Sequence, residues 1–175
     1  MKIVLTLWMC LFLGALTASL VACSKDEAGN KADASLLVNG ENCNIIDASI
    51  CFHGRITDSD GEIEIAPHGA LTMQVVVDGA WHNFSMSLDG LSDASEVKIG
   101  KNLVTDKGVT VYQFRPVTSI ELSTRYEDER GCIFINEITE KYLIIDFNTF
   151  SFVKDMGSKS IKYTMDGVVK VTLVH

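Results

Sequence analysis

Five cysteines are the residues of this 175-residue chain whose chemistry reads most directly. Cys10 lies inside an apolar N-terminal stretch, and Cys23 ends the run Leu20-Val21-Ala22-Cys23. Small residues before Cys23 let a peptidase cleave there. Cleavage would expose an amine and a thiol that can both carry acyl chains. Cys43, Cys51 and Cys132 remain for disulfide or metal chemistry, and no Cys-x-x-Cys redox or zinc spacing occurs among them. Cys43 and Cys51 are separated by Asn44 to Ile50, and a bridge between them would add about 2–3 kcal/mol in the loop-entropy picture. A bridge from Cys132 to either is the alternative. Otherwise Cys132, in an apolar run, is a buried thiol.

The remaining reactive side chains form no catalytic signature. His53, His68, His82 and His175 are scattered, and no His-Glu-x-x-His, Gly-x-Ser-x-Gly, P-loop or Gly-x-Gly-x-x-Gly run is present. His82, beside Trp81 and close to a turn, reads as a structural histidine. Asp58-Ser59-Asp60-Gly61-Glu62 has oxygen donors at alternate positions but lacks the further ligands and closing glutamate of a calcium loop, so it reads as a hairpin tip. No catalytic residue, metal ligand or cofactor is assigned. Trp81 is the first contact candidate, with Tyr112 and Tyr126 behind it, because aromatic rings stack on sugars and anchor protein interfaces. A covering second sheet is the competing reading for Trp81.

The elements that must position these groups are strands. From Ser35 onward the hydrophobic period is two, and turn signals recur every eight to twelve residues. Both prolines, Pro67 and Pro116, fall between candidate strands. Leu71, Met73, Val75 and Val77 alternate with polar neighbours up to Asp78-Gly79, a pair that suits a two-residue type I′ turn. That turn sets Val77 opposite Ala80, Val75 opposite His82, Met73 opposite Phe84 and Leu71 opposite Met86. The opposite face then carries Val76 against Trp81.

A second hairpin is expected to run through Ile50, Phe52 and Ile56, turn at Asp58 to Gly61, and return through Ile63 and Ile65. A third would join Ile120-Leu122 to Cys132-Ile135 through the charged turn Glu127 to Gly131, with Cys132 to Ile135 covered on both faces. Asn148-Thr149 marks a bulge, because the apolar parity shifts between Phe147 and Phe150. The last strand alternates from Ile161 to Leu173, and Ser92 to Ser95 is a loop or one helical turn. Eight to ten strands and no long helix give an all-β domain. The expected architecture is an antiparallel β-sandwich, with a closed β-barrel as the alternative.

The N-terminus adds a resemblance. Lys2, the apolar stretch to Leu20 and the tetrapeptide ending at Cys23 are laid out as in a bacterial lipoprotein signal. Cys23-Ser24-Lys25-Asp26-Glu27 also resembles the acidic surface-export signal of Bacteroidota lipoproteins. The resemblance implies that residues 1–22 are removed and that Cys23 is lipidated by two or three acyl chains. Residues 23–35 then form a flexible tether reaching about 20 Å, and residues 36–175 form one β domain. It further implies an outer-membrane protein exposed at the cell surface, with a periplasm-facing orientation as the alternative.

The formal charge of −8, made one unit more negative by loss of Lys2, argues against nucleic acid and against an electrostatic hold on anionic lipid. The expected function is binding: a subunit of an envelope protein complex or a glycan-contacting module. A small glycan or peptide hydrolase is the alternative, since its carboxylates would be assembled only in space.

Overall fold

Alternating burial is what makes each segment a strand. The computed structural model describes residues 34–57, 64–119 and 126–175. Ten strands occur there: β1 (Ser35–Val38), β2 (Glu41–His53), β3 (Ile56–Thr57), β4 (Glu64–Ile65), β5 (His68–Val77), β6 (Ala80–Asp89), β7 (Val109–Pro116), β8 (Tyr126–Ile138), β9 (Tyr142–Asp155) and β10 (Ser160–Val174). A 3₁₀ turn at Ala94–Glu96 and the one-turn helix α1 (Leu103–Asp106) lie between β6 and β7. The turn falls where Ser92 to Ser95 signalled one.

Eight strands form one sheet in the order β7-β6-β5-β2-β1-β10-β9-β8, and β3 pairs only with β4. Neighbours are antiparallel, except that Ser49 to Cys51 of β2 also pair in parallel with Thr172 to Val174 of β10. The exception follows from length. β1 has only four residues, so it separates β2 and β10 at one end and lets them meet at the other. The fold is all-β, but the two-sheet sandwich gives way to its alternative: a single sheet curled nearly into a barrel.

The β5–β6 hairpin has the register expected from its turn. Val77↔Ala80, Val75↔His82, Met73↔Phe84 and Leu71↔Met86 are in register, as are Val76↔Trp81. Asp78 and Gly79 have φ of 50° and 73°, the positive values that a type I′ turn requires.

Two other hairpins are corrected. Ile50 and Phe52 pair with Leu71 and Gly69 of β5, while Ile56 and Ile65 face each other in the separate β3–β4 ladder, whose tip at 58–63 lies outside the described residues. Glu127 to Gly131 is not a turn. It is the irregular first half of β8, held against β9 by Tyr126↔Lys154 and Glu127↔Val153, with register shifts that follow. Residues 120–122 lie outside the described residues. Within β8, Ile133 and Ile135 are buried while Cys132 and Phe134 are half-exposed, so this run alternates rather than being covered on both faces.

The expected bulge at Asn148-Thr149 is present and belongs to a line of irregularities crossing three strands, β8, β9 and β10. Thr149 has φ 45°, and both residues face solvent between buried Phe147 and Phe150. Its amide donates to Asp166 Oδ1 at 2.5 Å. Gly131 on β8 and Gly167 on β10 flank it at φ 94° and 117°. A Cβ on Gly131 would strike the Thr149 carbonyl, and one on Gly167 the Ser35 carbonyl of β1. Bulges and glycines aligned across neighbours bend a sheet sharply, which a single sheet needs in order to close.

The inside of the curl is filled with rings. Phe84 on β6 packs on Phe152 of β9 at 5.9 Å between centroids, and Phe114 on β7 meets Tyr163 of β10 edge-on at 4.7 Å. Phe147 and Phe150 extend the cluster. Each fully buried phenylalanine contributes about 1.5–3 kcal/mol of burial free energy.

Candidate functional site

The outer face near the β5–β6 turn carries the principal candidate. On β5 and β6 the buried apolar side chains alternate, Leu71, Met73 and Val75, then Phe84, Met86 and Leu88, so near the turn the intervening residues point outward; farther along, Ser87 on that outer face is itself covered. Trp81 is 50% exposed. Its carbonyl accepts the Val117 amide at 2.8 Å, which extends the β6–β7 ladder by one pair beyond His82↔Pro116. Val76, Trp81 and Val117 therefore lie side by side across three strands. Ile46 is the extra residue of the β2 bulge between Ile45 and Asp47, and it too is exposed. One step along the strands Asp47, Gln74, Asn83 and Arg115 stand in register. The face has an apolar row bordered by a polar one, a pattern seen where surfaces meet partners.

At the opposite rim an open cleft of about 660 Å³ is lined by Asp93, Ser95, Ile138, Glu140, Lys141 and His175, among others. One of its two acids, Asp93, is already engaged. Asp93 caps the 3₁₀ turn by accepting the Ser95 amide at 2.8 Å, and that bond holds its carboxyl below the usual range, with His175 a minor contributor. His175 Nε2 lies 3.3 Å from the Glu140 carbonyl. Nearby, Tyr142 donates to Glu137 at 2.8 Å and lies under Lys170 Nζ, 4.0 Å from the ring centroid. The Glu137 contact pushes the Tyr142 hydroxyl up.

The seam between the two sheet edges is closed by side chains. No ladder joins β7 to β8 among the described residues. Tyr126 instead reaches across: its hydroxyl donates to the Phe114 carbonyl at 2.8 Å and accepts the Phe114 amide at 2.6 Å. Glu129 accepts the Val111 amide at 3.1 Å, and burial pushes its carboxyl up against the lowering effect of that bond. The outer edge of β8 is covered by Asn102, whose Oδ1 caps α1 at Val104 and also accepts the Ile133 amide at 3.1 Å.

The residues singled out in the sequence fall in different places. Cys23 and the Asp58 to Glu62 loop lie outside the described residues. Cys43 and Cys51 sit on the same strand, eight positions apart, hence roughly 25 Å. A disulfide spans less than about 7 Å between Cα atoms, so the expected Cys43–Cys51 bridge is excluded, and both thiols are free. Cys132 is in no disulfide either. Cys43 donates to the Leu36 carbonyl at 3.2 Å, and burial pushes its thiol up to about 11. Tyr112 is exposed, but Tyr126 is core rather than a contact residue. His82 stacks on Phe114 at 5.1 Å, with Nδ1 3.1 Å from the Ala80 carbonyl, a structural setting. His53 and His68 are cross-strand partners with ring centroids 5.1 Å apart.

Sequence reasoning missed Glu129, Asn102 and the buried Lys154; Glu129 and Asn102 take their places from hydrogen bonds to Val111 and Ile133, 18 and 31 residues away along the chain. Among the described residues no group of three or more His, Cys, Asp or Glu side chains converges on a metal position, and no helix is long and apolar enough to cross a membrane.

The fold defines an all-β protein built on a nearly closed eight-stranded sheet. No protein-family model, curated protein or solved structure matches the chain.

Proposed function

We propose that this is a lipid-anchored envelope protein that acts by binding, with the outer face around Trp81 as its contact surface. The observation that carries the binding role is the half-exposed Trp81 set in register between Val76 and Val117 and bordered by polar residues. Aromatic anchors with a polar rim favour a protein partner, such as another subunit of an envelope complex; a glycan stacked on the ring is the second ligand class. The anchor rests on Leu20 to Cys23 and the acidic residues that follow. Acylated Cys23 would hold the domain at the outer membrane, at the cell surface if the export-like signal operates and facing the periplasm if it does not.

Three experiments test this reading. Cys23→Ser should release the protein from the membrane fraction, and retention equal to the parent would refute the anchor. Crosslinking and pull-down from solubilised outer membranes should recover a partner with the parent but not with Trp81→Ala. Recovery of the same partner by both proteins would remove Trp81 from the contact surface. Retention of the parent, but not Trp81→Ala, on purified surface polysaccharide would replace the protein partner with a glycan.

A further inference from the structure

We propose that the cleft at the barrel rim opposite Trp81 binds a small organic cation, a primary ammonium carried on an apolar body. Three walls meet there. Asp93 and Val97 come from the connection that holds the 3₁₀ turn, Ile138 and Glu140 from the β8–β9 turn, and Leu173 and His175 from the end of β10. They frame about 660 Å³, within the range of about 300–1,000 Å³ usual for small-molecule sites. Direct bonds join two of the walls. The Leu173 amide donates to the Lys141 carbonyl at 2.8 Å, and His175 Nε2 lies 3.3 Å from the Glu140 carbonyl.

The walls are fixed without a ligand. Thr139 Oγ1 accepts the Lys141 and Tyr142 amides at 3.2 and 3.0 Å and donates to the Tyr142 carbonyl, which locks the β8–β9 turn. Glu96 accepts both the amide and the hydroxyl of Ser92, and Asp93 accepts the Ser95 amide, which locks the 3₁₀ turn. The Gly100 amide ties this connection to the Ile135 carbonyl of β8 at 3.1 Å. A site held in this way needs little ordering when its ligand arrives.

The lining selects the ligand. Val97 is buried, and Ile138 and Leu173 pack half-buried against the core, so the floor is apolar. At the rim Asp93 and Glu140 are acids and Lys141 is the base, an excess of one negative charge with His175 neutral. The Ser95 amide, with His175 a minor contributor, holds the Asp93 carboxyl below its usual range, so this group stays anionic. One amide occupies one lone pair of a carboxylate that has about four, which leaves acceptors for an ammonium. An apolar tail therefore finds a floor, and a positive head finds the excess charge. The cleft stands apart from the Trp81 contact surface, so either site can fail alone.

The test titrates the purified full chain at low ionic strength with n-octylammonium and, separately, with octanoate, which share a tail and differ in charge. Calorimetry should show one site that binds the ammonium at least about tenfold more tightly than the carboxylate. Asp93→Asn keeps a good cap for the 3₁₀ turn and removes its charge. Combined with Glu140→Gln it should abolish that preference, while Trp81→Ala leaves it unchanged. Amide shifts in two-dimensional NMR spectra should centre on residues 92–97, 138–141 and 173–175. Circular dichroism checks that each variant is folded. Absence of saturable octylammonium binding at millimolar concentration would overturn the site. So would octanoate binding of equal strength, a preference that survives the double substitution in folded protein, or shifts centred on the Trp81 end.

Discussion

The Tyr126 hydroxyl serves both peptide groups of Phe114, donating to its carbonyl and accepting from its amide across the β7–β8 seam, where no ladder forms among the described residues. A phenol here replaces a strand pair, and its ring packs edge-on against Phe152 at 5.3 Å. Tyr126→Phe keeps the ring and removes both bonds, leaving a buried amide and carbonyl unpaired. The expected loss is about 1–3 kcal/mol, read as a lower denaturation midpoint with an unchanged slope. A change within about 0.5 kcal/mol would show that the seam is held by other contacts.

Glu129 closes the same seam at a cost. Burial raises its carboxyl, so the native state binds its proton more readily than the unfolded chain does. The stability it contributes is therefore greatest at acid pH and falls as pH rises through the carboxylate range toward the raised value. Glu129→Gln keeps an oxygen for the Val111 amide and removes the charge that burial disfavours. Its melting temperature should equal or exceed that of the parent at pH 7, and the difference should vanish below the carboxylate range. A clear loss at pH 7 would mean that the charge itself is required.

Gly167 and Gly79 both have positive φ but meet different surroundings. A Cβ at Gly79 touches nothing within 4 Å, while one at Gly167 would strike the Ser35 carbonyl. Gly79→Ala should lose about 1 kcal/mol for backbone conformation alone. Gly167→Ala should lose clearly more, because β1 must also move away from β10. Equal melting curves for the two variants would contradict the close approach of β1.

Phe152 and Trp81 separate core from surface. Phe152→Ala should cost about 3–5 kcal/mol, as expected for a ring deleted from a filled interior. Trp81→Ala should cost less than about 1 kcal/mol. A loss at Trp81 as large as at Phe152 would mark Trp81 as part of the core.

The two thiols of β2 should differ in reactivity. Brief alkylation of the native protein, read by mass spectrometry, should modify Cys51 well before Cys43, whose thiol is bonded, partly buried and pushed up to about 11. Equal labelling would contradict the inward placement of Cys43.

Local signals carried part of this fold. Asp78-Gly79 needs positive φ at both positions, and with the alternation around it this sets the β5–β6 register and turns Trp81 outward. The parity shift between Phe147 and Phe150 likewise marks the bulge at Asn148-Thr149, because residues three apart on a regular strand face opposite ways and can both be buried on one face only with an extra residue between them. Alternation states which face of a strand is buried, but it is silent on which strand lies beside it. The pairing of β2 with β5, the insertion of β1 between β2 and β10, and the choice of one curled sheet over two packed ones are long-range outcomes. They depend on how the whole sheet bends and closes. The same holds for the sites. Asp93 caps its turn at Ser95 by their spacing alone. Only the closing of the sheet brings Glu140 and His175 to the same cleft, and only a thirteen-residue β2 carries Cys43 out of Cys51's reach. Tyr126 shows the limit most plainly, since an aromatic residue beside charged neighbours reads as surface until the closing edge of β7 claims its hydroxyl.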